Sequence, residues 1–296
     1  MKRLAALLLA LLFAFAPTAF ADPEDHYAVK GKVKIHYVAE GGGPLVVMLH
    51  GFPGWWYTWS PMMGALKDKY RVVALDMRGY NLSDKPKAVD AYKFPELVGD
   101  VDAVIKAEGK PSAIVVGHDW GGAVAWQVAL TRPDLVNHLI ILSTPHPAGL
   151  ARELAINPAQ QKNSQYARDF QKPGSEKNLT AESLAQGVPE PDRAKYVEAY
   201  KRSSFTGMMN YYRANYPSET GAAVQAPASF PKIKAPVLII HGEKDTSLLA
   251  AGHNSTWEQV DADTTILMIP NAGHFVQYDA LPMVNRTVRD WLDARP

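Results

Sequence analysis

The chain has 296 residues, 47% of them hydrophobic and 21% charged, a composition that can bury a sizeable core and lies far from that of disordered segments. Lys and Arg number 31 against 30 Asp and Glu, a net charge of +1 spread without a basic run, which argues against a nucleic-acid partner or a polybasic membrane contact. There is no cysteine, so a disulfide framework, a thiolate nucleophile, a Cys-containing zinc site and a Cys-bound iron–sulfur cluster are excluded together.

The sequence starts with Lys2 and Arg3, an apolar run from Leu4 to Ala16, Pro17, and then Ala19-Phe20-Ala21. A charged start, a short apolar stretch and small residues two apart form the layout of a signal peptide over residues 1–21, and the run is short for a bilayer span. Its removal leaves 29 basic residues against 30 acidic ones. The expectation is a soluble protein, periplasmic or secreted, without a stable membrane anchor.

Beyond residue 22, apolar, β-branched runs at Val33–Val38, Leu45–His50, Val72–Asp76, Ala113–Gly117, Leu139–Leu142, Val237–His241 and Thr265–Ile269 read as buried strands. Amphipathic stretches at Trp59–Lys67, Pro95–Ala107, Gly121–Thr131 and Leu281–Leu292 complete the rhythm of a mostly parallel sheet covered on both faces, so the fold class is α/β. From Pro147 to Lys232 no strand run occurs and the sequence turns polar with helical spacing. This predicts a helical cap at 147–232 inserted into a core made of 22–146 and 233–296. Pro145 and Pro147 before it, and Pro227, Pro231 and Pro236 after it, suit the joints.

The most specific local signal is Val115-Val116-Gly117-His118-Asp119-Trp120-Gly121-Gly122, an apolar strand running into a tight turn and a helix, the layout of a nucleophile elbow. Such a turn leaves room only for small residues two places either side of the nucleophile, and Gly117 and Gly121 meet that need. Asp119 stands where a serine is usual, and no serine of the chain has glycine at both of those offsets. A carboxylate attacking an ester or amide gives only a mixed anhydride, whereas attack on an sp³ carbon gives an ester that activated water can hydrolyse. The substrate expected is therefore an epoxide or an alkyl halide. A helix N-cap is the plainer role for an acid in this place.

The strand Val237–His241 leads into Gly242-Glu243-Lys244-Asp245, and Ile269-Pro270-Asn271-Ala272-Gly273-His274 puts a histidine just past the last strand. Nucleophile, acid, histidine is the order of the α/β-hydrolases. In that reading Asp119 attacks, His274 activates water and Asp245 orients His274. The other position for the acid, after Leu139–Leu142, offers only Ser143-Thr144-Pro145-His146. Backbone N–H groups of Trp120 and of Phe52, in a His50-Gly51-Phe52-Pro53 turn open to a cis bond, are expected to form the oxyanion hole. Among the other histidines, His118 reads as a buried neighbour of the turn, and His26, His36, His138, His241 and His253 as structural or exposed. With no His-Glu-x-x-His, and with Gly41–Gly43 preceding a strand instead of joining a strand to a helix, neither a metal nor a nucleotide cofactor is expected.

His50-Gly51-Phe52-Pro53, the stretch Asp76-Met77-Arg78-Gly79-Tyr80-Asn81-Leu82-Ser83-Asp84-Lys85-Pro86, and Gly117-His118-Asp119-Trp120-Gly121-Gly122 together resemble α/β-hydrolase-fold epoxide hydrolases, over nearly all of the chain after residue 21. The resemblance implies an eight-stranded, mostly parallel sheet. It implies a small-molecule epoxide and water as partners, and a substrate pocket that includes His50 and Pro53. It further implies two cap tyrosines that hold and protonate the epoxide oxygen, and Tyr166 and Tyr212 match those positions. Phenols suit the task because they donate a directed hydrogen bond and stay protonated at neutral pH; packing within the cap is the plainer role for either. Haloalkane and haloacid dehalogenases share the Asp-His-acid set and are the alternative. Against them, Phe52 stands where a second halide donor is common, and Trp120 where an arginine would hold a haloacid carboxylate. A non-catalytic binding protein of the same fold is the third reading, although such proteins usually lack one of the three residues kept here.

The export expectation has a direct check. N-terminal sequencing of protein recovered from the periplasm or medium is expected to begin at Asp22, and intact Met1 on protein recovered from the cytosol would contradict it.

Overall fold

The computed structural model describes residues 23–224 and 229–295; the segment 1–21, read above as a signal peptide, lies outside them. Its strands are β1 (Glu24–Lys30), β2 (Val33–Glu40), β3 (Leu45–Leu49), β4 (Arg71–Leu75), β5 (Ala113–His118), β6 (Val136–Leu142), β7 (Val237–Gly242) and β8 (Thr264–Ile269). They form one eight-stranded sheet in the order β1-β2-β4-β3-β5-β6-β7-β8. β2 is antiparallel to both of its neighbours, and from β4 to β8 all pairings are parallel.

The parallel strands are apolar on both faces, which is why they appear in the sequence as unbroken runs. Along β3, Val47 and Leu49 enter one core cluster while Val46 and Met48 enter the other; β7 divides Val237 and Ile239 from Leu238 and Ile240 in the same way. A side-chain period of two with helices on both faces leaves a strand no polar face. β1 escapes that criterion because it is a solvated edge: only Ala28 is fully buried, while Tyr27 and Val29 stay exposed.

One face is covered by α1 (Ser60–Leu66) and the other by α2 (Phe94–Ala107) and α3 (Trp120–Thr131). Between β6 and β7 come α4 (Pro147–Ile156), α5 (Pro158–Asn163), α6 (Gln165–Gln171), α7 (Ala181–Leu184), α8 (Arg193–Arg202) and α9 (Phe205–Asn215), with no strand among the described residues of that stretch. Pro147 takes the first position of α4, where a missing N–H costs nothing, and the His146 ring accepts from the Ala148 N–H. The inserted helices share the core below them: Tyr200, Met208, Met209 and Tyr211 belong to the same cluster as Val47 and Leu49. After β8, α10 (Val276–Asp279) leads into α11 (Leu281–Asp293), which buries Val284, Val288, Trp291 and Leu292 on one stripe beside α1.

A buried charge network ties the antiparallel edge to the loops at the strand ends. Asp76, just past β4, accepts from His36 Nδ1 (2.6 Å), Asn81 Nδ2 (2.7 Å) and the Trp56 N–H (3.1 Å), and His36 Nε2 reaches Asp25 at 2.8 Å. Burial opposes charge on His36, but hydrogen bonds and charge from Asp76 and Asp25 prevail and raise its pKa above the usual imidazole value. His36 and Asp76 are both wholly buried, so removing either would strand the other's charge, and the pair fixes the loops that carry Trp56 and Asn81.

Candidate active site

β5 ends at His118 and α3 begins at Trp120, leaving Asp119 alone in the turn at φ 53° and ψ −122°. A non-glycine residue held at positive φ costs about 1–3 kcal/mol and persists only where its surroundings over-determine it. Here they do. A Cβ on Gly117 would lie 2.3 Å from the Gly121 carbonyl oxygen, and one on Gly121 would lie 2.0 Å from that of Leu49. Thr144 Oγ1 donates to the Asp119 carbonyl at 3.1 Å, and Trp126 Nε1 donates to the Thr144 carbonyl at 3.1 Å. Asp119 occupies the N-cap position, yet its side chain makes no capping hydrogen bond.

The Asp119 carboxylate is instead held by two other strand-end loops. Its Oδ1 accepts the Phe52 N–H at 2.7 Å, and His274 Nε2 stands 3.4 Å from its Oδ2. His274 Nδ1 lies 2.7 Å from Asp245 Oδ2, and Asp245 Oδ1 accepts the N–H groups of Ser247 (2.7 Å) and Leu248 (3.0 Å). Burial works against charge on all three groups. For Asp119 and Asp245 it is outweighed chiefly by His274, which keeps both carboxyls below their usual range. For His274 it is outweighed by the two carboxylates, which push the imidazole up to about 10. At neutral pH the resting site therefore consists of two carboxylates sharing one imidazolium. His118, lowered to about 4 mainly by burial, is neutral, and its Nε2–H donates to the His274 carbonyl at 2.8 Å.

A cavity of about 150 Å³ opens over Asp119 and Trp120, with Tyr166 of α6 and Tyr212 of α9 in its wall. The two phenol rings lie 6.3 Å apart, centroid to centroid. Burial, reinforced by the Asp119 charge, holds both phenols protonated, and the Tyr212 ring packs edge to face on Trp120 at 5.0 Å. Both phenols are thus neutral donors in the cavity wall, each with an O–H to offer a group that enters.

The fully buried Gln160 of α5 locks these parts together. Its Oε1 accepts the Leu249 N–H, and its Nε2 donates to the Ser247 carbonyl and to Ser164 Oγ, each at 2.8 Å. The loop carrying Asp245 is thereby fastened to the start of the helix carrying Tyr166.

Asp119, Asp245, His274, Phe52, Trp120, Tyr166 and Tyr212 are brought to one place, but His50 and Pro53 do not line the cavity. His50 is wholly buried behind the turn, where Nδ1–H donates to the Gly51 carbonyl (2.9 Å) and Nε2 accepts the Met77 N–H (3.0 Å). Both ring nitrogens are spent on backbone, so the imidazole props the loop that presents the Phe52 N–H. The Phe52-Pro53 bond is cis, and the Pro53 carbonyl accepts from the Tyr200 hydroxyl at 3.2 Å. Four residues of the site were missed from sequence: Ser247, Gln160, Gln127 and Tyr216. Only Tyr216 had a local signal, standing one helical turn after Tyr212. No cluster of metal-ligating side chains occurs among the described residues.

The family model for the α/β-hydrolase fold matches residues 44–281. Epoxide hydrolase 1 of Caenorhabditis elegans is 35% identical over 301 residues, covering 94% of this chain and 72% of that protein. Among solved structures, a novel epoxide hydrolase of the α/β-hydrolase superfamily from metagenomes of hot environments superposes with a TM-score of 0.84 at 31% identity, covering 92% of this chain and 99% of the other. A mutant epoxide hydrolase from Bacillus megaterium, complexed with its product (R)-3-[1]naphthyloxy-propane-1,2-diol, gives 0.82 at 30% identity, covering 90% and 100%.

The shared imidazolium can be tested by nitrogen NMR of the labelled protein. His274 is expected to keep both ring protons at pH 8, below its value of about 10, and to release one at lower pH in the Asp119→Asn protein, where one of the two carboxylates is gone. A wild-type His274 that titrates near 6.5 would contradict the charge assignment.

Proposed function

The chain belongs to the α/β-hydrolase fold family, and on that premise we propose that it hydrolyses an epoxide to a vicinal diol through an ester on Asp119. The observation that carries the mechanism is an ionised carboxylate at a nucleophile elbow in a cavity whose wall holds two protonated phenols. An epoxide oxygen entering the cavity accepts the O–H groups of Tyr166 and Tyr212. Oδ1 of Asp119 is engaged by the Phe52 N–H, so Oδ2 attacks the ring carbon. The ring C–O bond breaks, and the departing oxygen takes a proton from one of the phenols.

Formation of the ester removes the Asp119 charge, which is one of the two that raise the proton affinity of His274. His274 then gives its Nε2 proton to restore the phenol and becomes the neutral base that the second step needs. It takes a proton from water, and the water oxygen attacks Asp119 Cγ. The oxyanion on Oδ1 is met by the N–H groups of Phe52 and Trp120. Collapse breaks the Cγ–Oδ2 bond and releases the diol, its Oδ2 protonated by His274; the second proton of the water then passes from the Asp119 carboxyl to His274, which restores the imidazolium and a carboxylate that now holds the water oxygen. Asp245 keeps the imidazole in the tautomer that presents Nε2 to the substrate.

The dehalogenase alternative lacks this support, because Phe52 has no side-chain donor to offer a halide beside the Trp120 indole. The leader-like segment 1–21 supports an activity exercised outside the cytoplasm.

A side-by-side panel of epoxides and haloalkanes tests the assignment, and turnover of epoxides is expected. Tyr166→Phe and Tyr212→Phe should each slow ring opening, and the double variant should lose about 10²–10⁴-fold, the range for a positioned acid. Haloalkane turnover without epoxide turnover, or wild-type epoxide rates in the double variant, would overturn it.

A further inference from the structure

We infer that the cavity selects an elongated, uncharged epoxide whose far end carries a hydrogen-bonding group, and that Gln127 is the residue that recognises that end. The inference rests on the epoxide reading above and specifies its substrate class.

Asp119, Ala123 and Gln127 follow one another at intervals of four residues along α3, and all three line the cavity. Residues four apart share a helix face, and a rise of 1.5 Å per residue puts the Gln127 backbone about 12 Å beyond that of Asp119. The cavity therefore follows α3 for two turns away from the reacting carboxylate, which favours a long substrate over a compact one. Its wall on the way is apolar, with Ala123, Leu150 and Ala151 among the lining residues.

Thr144 and Asn215, the other neutral, non-aromatic polar side chains in the wall, are already engaged. Thr144 Oγ1 donates to the Asp119 and Leu142 carbonyls. The Asn215 amide donates to the Tyr92 and Tyr211 carbonyls and accepts the Phe94 N–H. The Tyr216 ring packs against those of Trp120 and Tyr212. The half-buried Gln127 differs: its backbone carbonyl accepts from Thr131 Oγ1, but its amide has no hydrogen-bond partner among the described residues. Asp119 is the one charged side chain among the residues lining the cavity, so a charged tail would find no counter-ion. A neutral amide, with both a donor and an acceptor free, matches a hydroxyl, an ester or an amide. An alkyl end would displace water from Gln127 without replacing its hydrogen bonds, whereas a polar end would replace them.

The experiment compares 1,2-epoxyalkanes of four to ten carbons, each with and without a terminal hydroxyl, and reads the ratio of kcat/KM within each pair. In the wild-type protein the ratio is expected to peak at one chain length. Gln127→Leu should lower that peak by about 3- to 10-fold, the worth of one hydrogen bond. Gln127→Asn, one methylene shorter, should restore a peak at a longer chain. A fold made generally worse would slow both members of a pair and leave the ratio unchanged. A wild-type ratio without a peak, or a ratio that Gln127→Leu does not move, would overturn the inference while the epoxide activity stood. Failure of the wild-type protein to open any epoxide would overturn that activity and the inference with it.

Discussion

Asp119 has to remain ionised while only 7% exposed, and taking a carboxylate that far out of water costs several kcal/mol unless other groups replace its hydration. The replacements come from separate parts of the chain: the Phe52 N–H after β3, His274 after β8, and the N-terminus of α3, whose dipole favours negative charge. Each support is itself supported. His50 props the Phe52 loop against Met77, Asp76 joins the next residues of that loop to β2 through His36, and the Asp245 loop orients His274. A chain of hydrogen bonds thus runs from Asp25 on the outer edge of the sheet towards the reacting carboxylate.

The same electrostatics set the order of events. Two carboxylates around one imidazole hold its proton, and in the proposed mechanism His274 therefore acts on water only after Asp119 has reacted. Ester formation would remove one of the two charges that hold that proton. Separate groups are therefore not needed to hold the nucleophile and to activate water, since the covalent step itself changes the protonation of His274. The inserted helices bring the two phenols over the carboxylate, and Gln160 ties the start of the helix carrying Tyr166 to the loop of Asp245.

Much of this was legible in the sequence for a topological reason. In a parallel sheet the strands end on one side, so short loops directly after apolar runs bring Phe52, Asp119, Asp245 and His274 together without any knowledge of packing. The strained turn announces itself because its neighbours must be glycine. β1 was not legible, because an edge strand with one solvated face has no apolar run. His50 was misread as a pocket residue because sequence places its backbone in the right loop but does not say which way the ring turns. Ser247 and Gln160 were invisible because their partners lie far along the chain. Tyr166 and Tyr212 were reached only through resemblance, since a tyrosine in a helix usually packs.

In the proposed mechanism the new oxygen of the diol comes from Asp119 and not directly from solvent. A single turnover in heavy-oxygen water, with enzyme in excess over an epoxide, separates the two routes by mass spectrometry of the product and of the peptide containing Asp119. The account predicts an unlabelled diol and one heavy oxygen in Asp119. A labelled diol on the first turnover, with an unlabelled Asp119, would mean that water opens the ring itself and that Asp119 is not the nucleophile.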